Sequence, residues 1–235
     1  MKELFCAVVC SLHIYECTAK VSNLQKFSNV KIEIDGSADI QVGVDKSLID
    51  QYKLDLEAKT GEFEKNVYVK DNVLHIVCTK KSPKLGLMFS LVLPDGIESV
   101  FMKANKAKIV VAAYQGSLAI DMYKMDLTVD SVLKNLVINA DSLRVKLNNM
   151  AYDTKITAKK LSFDAVVTKC VKQKLGIDVN MCKCNIVVKK DAKVNYKTSG
   201  WMTCSSDFTS VDENEADVFL NIATRFGKTK LKKGE

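Results

Sequence analysis

Histidine is nearly missing from this 235-residue chain: His13 and His75 are the only two. Nucleophilic catalysis needs a base beside the nucleophile, most often an imidazole. His75 alternates with Leu74 and Ile76 in "VLHIVC" and therefore faces outward from a strand. Arginine is equally scarce, with only Arg144 and Arg225; the other basic residues are lysines. Readers of base edges rely on forked guanidinium contacts, and single-strand binders on aromatic platforms. Neither is concentrated here, which excludes a specific nucleic-acid reader. The net charge of +7 is read as a solvated lysine surface, able at most to attract anionic polymers or lipid surfaces.

Other absences narrow the class further. No glycine-rich phosphate loop occurs. The longest apolar run, Leu4 to Tyr15, is well short of the ~20 residues of a spanning helix, so no transmembrane segment is expected. Residues 1–26 are either a secretory signal, with Cys17-Thr18-Ala19 as a small-residue cleavage site, or a first core strand or helix. Glu3 and His13 speak against the signal. The protein is exported if 1–19 is removed and intracellular otherwise. Of eight cysteines, Cys6 and Cys10 lie in the apolar run, and Cys78 and Cys184 occupy buried-side strand positions. Free cysteine packs as a small hydrophobe, so this placement leans towards a reducing compartment. Cys170, Cys182 and Cys204 fall in less regular sequence and could pair in an exported chain.

What the chain does have is a repeat. Shifted by 18 residues, the stretch 117–167 falls into register with itself: Leu118, Leu136, Thr154; Ile120, Ile138, Ile156; Met122, Ala140, Ala158; Met125, Leu143, Leu161; Leu127, Val145, Phe163; Val129, Leu147, Ala165. The series extends back to Val100, Met102, Ala107, Ile109 and Val111. It extends forward, past an insertion of five residues near 166–174, to Ile177, Val179, Met181, Cys184, Ile186 and Val188. Each unit holds two apolar runs of period two, the pattern of strands with one buried face. Apolar residues at i, i+2 and i+4 would be spread around a helix rather than gathered on a stripe. A leucine-rich repeat would need a recurring asparagine in the consensus and a further element between strands.

Outward ladders run through Asp121, Asn139, Thr157 and Asn180, and through Asp126, Arg144, Ser162 and Asn185. One corner falls at Tyr123-Lys124, Asp141-Ser142, Lys159-Lys160 and Cys182-Lys183. A wider one falls at Ser131–Asn135 and Asn148–Asp153. Asparagine and aspartate tolerate left-handed backbone angles and can stand in for glycine there. Before the repeat, "NVKIEIDGSADIQVGV" alternates about a break at Asp35-Gly36-Ser37, "YKLDLEAK" alternates again, "VYVKDNVLHIVC" is a hairpin about Asp71-Asn72, and "LMFSLVLPDG" ends in a turn.

The expected architecture is all-β: a single-stranded right-handed β-solenoid, parallel β-helix-like, with 18-residue rungs and antiparallel strands at the N-terminal end. The domain would run over 27–231, with opening strands at 27–97, repeat rungs at 98–192 and capping strands, including the Trp201 segment, at 193–231. Residues 205–216 form a polar loop, and the lysine-rich tail, to 232–235, frays.

With these segments laid out, the chain resembles the "putative adhesin" family of unknown function, strand-rich repeat proteins of bacterial type with scattered eukaryotic relatives. The resemblance is carried by "FSNVKIEIDGSADIQVGV" at 27–44, "VYVKDNVLHIVCTKK" at 67–81, "FSLVLPDGIESVFMKAN" at 89–105 and "ADVFLNIATRFGKTKL" at 216–231. Bacterial members often place Gly-Ser turns in each rung, whereas Asn, Asp and Lys stand here. The resemblance implies a fold and a binding role rather than a chemistry.

No catalytic, cofactor-binding or metal-ligating residue is assigned, and no cofactor. The nearest approach to a zinc set, Cys182-x-Cys184 with Cys170, lacks a fourth ligand. A polysaccharide lyase or hydrolase on the same architecture would need paired or clustered carboxylates, and the carboxylates of Asp121 and Asp126 do not persist along their ladders. The expectation is a non-enzymatic binding or scaffold module whose sheet faces are the contact area. Its partner is unknown, with a protein or polysaccharide surface as candidates, and its oligomeric state is unassigned. The alternatives are a carbohydrate-active enzyme and a lysine-mediated binder of anionic polymer or lipid.

Overall fold

The computed structural model describes residues 15–17, 26–48, 51–131, 133–149, 151–168 and 172–234. Among the described residues thirteen strands form one sheet, and the only helical element is a 3₁₀ turn at Glu213–Glu215. The strands are β1 (Tyr15–Cys17), β2 (Asn29–Val44), β3 (Lys53–Thr60), β4 (Phe63–Lys70), β5 (Val73–Lys80), β6 (Gly86–Leu93), β7 (Ser99–Ala112), β8 (Ser117–Asp130), β9 (Asn135–Leu147), β10 (Asp153–Val167), β11 (Gln173–Val188), β12 (Val194–Ser206) and β13 (Val218–Lys233). Along the main path the order is β1-β3-β6-β2-β7-β8-β9-β10-β11-β13-β12, with β5 on β2 and β4 on β5. Pairing is parallel except at the N-terminal end, where β1–β3, β3–β6 and β4–β5 are antiparallel. The sheet is open, since its end strands β1 and β12 do not pair with each other.

The repeat sets this register. Ser117 lies beside Asn135 and Asn135 beside Asp153, so each step in sequence of 18 residues is one strand in space. Every long strand has two arms about a break that pairing skips, at Tyr123, Asp141 and Lys159. Inward residues of both arms are buried, Ile120, Leu127, Ile138 and Val145 among them, and they share one apolar cluster. No helix among the described residues covers that cluster.

The structure corrects the register after β10. Asp153 lies beside Lys174, an offset of 21 rather than 18 residues, so the insertion before β11 is three residues and not five. Cys182 consequently pairs with Leu161 and is buried, whereas Met181, expected inside, sits at the corner beside Lys160 and is 43% exposed. The corner in β11 is Asn180-Met181 rather than Cys182-Lys183. The outward ladders end on Asp178 and Lys183 instead of Asn180 and Asn185. A slip of two residues preserves the inward face within each arm, so periodicity alone could not detect it.

Two further differences concern the ends. The hairpin at Asp71-Asn72 forms as expected, both residues taking positive φ (51° and 63°). Its second strand does more: β5 lies along the first arm of β2 and β6 along the second, so 73–93 covers both arms of β2 in two pieces. At the other end, 218–233 is one long strand that inserts between β11 and β12 rather than a pair. It runs through Lys232 and Lys233, with the Lys233 N–H donating to Asp207 Oδ2 at 3.2 Å, so the tail expected to fray is paired that far.

Core positions differ in how well they are filled. Thr154 interrupts a leucine column, between Leu136 and Leu175, and its buried Oγ1 finds no hydrogen-bond partner among the described residues. Thr154→Val should therefore raise stability by about 1 kcal/mol, measured by urea unfolding. Leu143→Asp, which buries a carboxylate between Met125 and Leu161, should cost at least ~3 kcal/mol, while outward Ser162→Asp stays within ~0.5 kcal/mol. Equal losses would contradict the assignment of faces.

Candidate functional site

Since the interior is filled, anything the protein recognises must meet the outer faces, loops or edges. On the second-arm face, Asp126 and Arg144 stand on neighbouring strands with carboxylate and guanidinium 3.9 Å apart, as their ladder predicted. Both are well exposed, so the pair contributes at most ~1 kcal/mol. Further along, Lys183 lies beside Lys228, and Lys230 and Lys232 share that outer face of β13. The lysines at the C-terminus are thus a row on a sheet.

The first-arm face carries a more shaped feature. Gly176 occupies an outward position between Lys155 and Asn221, and a Cβ there would meet only the Thr154 carbonyl oxygen, at 3.9 Å. It lies in a groove of about 920 Å³ that is also lined by Lys155, Lys172, Lys174 and Lys197 and, beside Gly176, by Thr157 and Asn221. Lys197 Nζ donates to Glu213 Oε1 at 2.8 Å, and that contact holds the Glu213 carboxyl below its ordinary range. Asp153 and Asp178 line the groove as well, so its four lysines exceed its three carboxylates by one. Sequence reading missed it because its floor is an absent side chain and Lys197 and Glu213 come from outside the repeat.

The residues weighed as chemical candidates do not converge. His75 is half-buried and stacks on its cross-strand neighbour Tyr68, ring centroids 4.7 Å apart. His13 and Cys170 lie outside the described residues. Cys78, Cys182, Cys184 and Cys204 are free thiols, and the described residues hold no group of three or more His, Cys, Asp or Glu placed to share a metal ion. Cys182 and Cys184 point inward from one arm and hydrogen-bond each other. The Cys184 thiol donates to Cys182 and lowers it to about 7, while Cys184 is pushed up by its partner and by burial. Gly227 faces Cys182 across the pairing, where a Cβ would come within 2.6 Å of its Sγ.

Carboxylates do not pair across the first-arm ladder either. Asp121 and Asp178 occupy one outward column with Asn139 and Thr157 between them, which is three strand spacings or ~14 Å. Acid pairs in glycoside hydrolysis lie within ~10 Å.

At the corner, Met181, Phe226 and Trp201 form an exposed apolar row on adjacent strands. Trp201 is 82% exposed, with its ring edge-on to Phe226 at 6.0 Å. The sequence marked Trp201 as part of a cap and did not reveal that it points outward.

No protein-family profile matches the chain, and no curated protein matches it. Among solved structures it is similar to a "putative cell adhesion protein" from Clostridium sporogenes, at 11% identity and a TM-score of 0.42, covering 94% of this chain and 100% of that one. It is also similar to a "putative adhesin" from Bacteroides fragilis, at 9% identity and a TM-score of 0.38, covering 93% and 96%. A "putative lipid binding protein" from Parabacteroides distasonis aligns at 12% identity with a TM-score of 0.29, covering 93% and 96%. No helix among the described residues is long and apolar enough to cross a membrane.

The thiols give a check on the contact between Cys182 and Cys184. Thiolate is the reactive form, and Cys182 is lowered to about 7 whereas burial pushes Cys78 up to about 11. Of these two and Cys184, iodoacetamide at pH 8 should modify Cys182 first, with a rate that climbs as pH rises through about 7. Peptide mass spectrometry that found Cys78 ahead would contradict this order.

Proposed function

We propose that this protein is a non-enzymatic binding module, built as a β-solenoid, that holds an extended anionic glycan in the groove over Gly176. The groove itself carries the reading. An outward glycine in a ladder of larger side chains gives a trough along the sheet, lysines at its border suit acid groups, and Thr157 and Asn221 beside its floor suit hydroxyls. Because the inner faces of both arms pack in one apolar cluster, the coil would act as a rigid spool that presents this face without rearrangement. Catalysis is not part of the proposal: Glu213, held ionised by Lys197, has no proton to offer a leaving group near neutral pH, and the ladder separates Asp121 from Asp178.

A second reading rests on Lys183, Lys228, Lys230 and Lys232, whose shared outer face would attract any anionic polymer or lipid surface without selecting among them. The two readings separate by mutation. Gly176→Val at a position open to a Cβ should leave the unfolding midpoint nearly unchanged and reduce polygalacturonate binding at least ~10-fold, a loss of ~1.4 kcal/mol, in calorimetry at moderate salt. Lys155→Glu with Lys174→Glu should act in the same direction. Binding that ignores Gly176→Val but collapses with salt and with Lys228→Glu and Lys230→Glu would instead favour the lysine row. Chain cleavage on prolonged incubation would defeat the non-enzymatic reading.

A further inference from the structure

The last strand in the sheet order breaks a rule that the opposite end obeys. Exposed strand edges invite pairing with another chain, and proteins blunt them with charge, proline or short length. At the N-terminal end, β4 presents Glu64, Lys65 and Lys70, and β3 carries Lys53, Asp55, Glu57 and Lys59. By contrast β12 spans 13 residues, has no proline, and bears one charge, Lys197, which Glu213 neutralises. From Thr198 to Ser206 it has none.

That edge is covered only at its start. The loop after β12 turns back so that the Val211 N–H donates to the Val194 oxygen at 3.0 Å and Ser210 Oγ accepts from the Tyr196 N–H at 3.2 Å. Backbone groups alternate between the two sides of a strand, so Thr198 directs its own towards the same outer side. Beyond the corner, Asp207 N–H bonds back to Leu231 on β13, and alternation then turns Met202 and Cys204 outward. No described strand lies beyond them. Tyr196, Met202 and Cys204, at core positions, are half-buried because the core ends there.

We propose that β12 joins two copies of this chain edge to edge, antiparallel, about a two-fold axis at the Gly200-Trp201 corner. Charge selects the occupant. A chain of net charge +7 meets its own copy most easily where it carries no charge, and β12 is the least charged of its long strands. A dyad at the corner lays the uncovered end of the first arm, from Lys197 to Ser199, over the second arm of the other copy and opposes no like charges there. Closed two-fold symmetry also explains why one end alone is left sticky: pairing β12 with the charged opposite end would build open-ended fibres. The contact would close the core over Met202 and Cys204 and bring the two exposed Trp201 rings to the axis.

Sedimentation equilibrium of the full chain tests this. The expected mass is twice the 26.1 kDa of one chain, falling to one chain in Trp201→Lys with Ser205→Lys, which sets like charges across the axis. Val110→Lys, at an exposed position of β7 far from this edge, should remain a dimer. Thr203→Lys with Ser205→Lys, which spares the Trp201–Phe226 contact, gives the same reading if the first variant unfolds by circular dichroism. A wild-type monomer at every soluble concentration would assign the edge to another segment or partner and overturn the proposal. So would a folded double variant that stays dimeric, or a mass that keeps growing past two chains.

Discussion

Parallel stacking in register is the constraint on which the rest of this molecule depends. A strand that must bury one face over two arms needs neighbours with the same alternation at the same places, because a slip of one residue would turn every inward side chain to water. The 18-residue repeat satisfies that demand for β7 to β10, and it explains why the corners can be so poor in glycine. Once both arms are locked on either side by backbone pairing, Tyr123, Asp141 and Lys159 need only stand aside from the ladder. Where the chain does come too close, glycine appears: Gly200 has a φ of 96°, and a Cβ there would overlap the Thr224 carbonyl.

The repeat and its inward columns were legible because they depend on period two and a constant offset, both of which survive without any knowledge of partners. The hairpin at Asp71-Asn72 was legible for a local reason, its paired residues with positive φ. The offset before β11 was not, since an insertion of three and one of five leave the same alternation. Nor was the role of β5 and β6, whose pairing with β2 spans segments far apart in sequence. The lysines at 232–233 read as a fraying tail because nothing in their own sequence shows that β13 keeps its pairing with β11 through them.

The candidate site was less visible than the fold, and for a related reason. A groove made by Gly176 is a local deficit in an outward ladder, and its meaning depends on which residues stand on either side. Those neighbours, Lys155 and Asn221, are set by the offset the repeat does not supply. The thiols of Cys182 and Cys184 similarly become a hydrogen-bonded pair only when the register places both inside.

The position of β13 also bears on the order in which the molecule can be made. It lies between β11 and β12, so β12 leaves the ribosome before the only strand it pairs with exists. For the time it takes to synthesise 207–233, β12 has no seat and β11 ends in a bare parallel edge. The final strand then has to enter a slot between two segments already present, and its entry completes both ladders at once. Strands β7 to β11 neighbour one another in chain order, and that order breaks only at the C-terminal end, where the strand made last lies inside the one made before it.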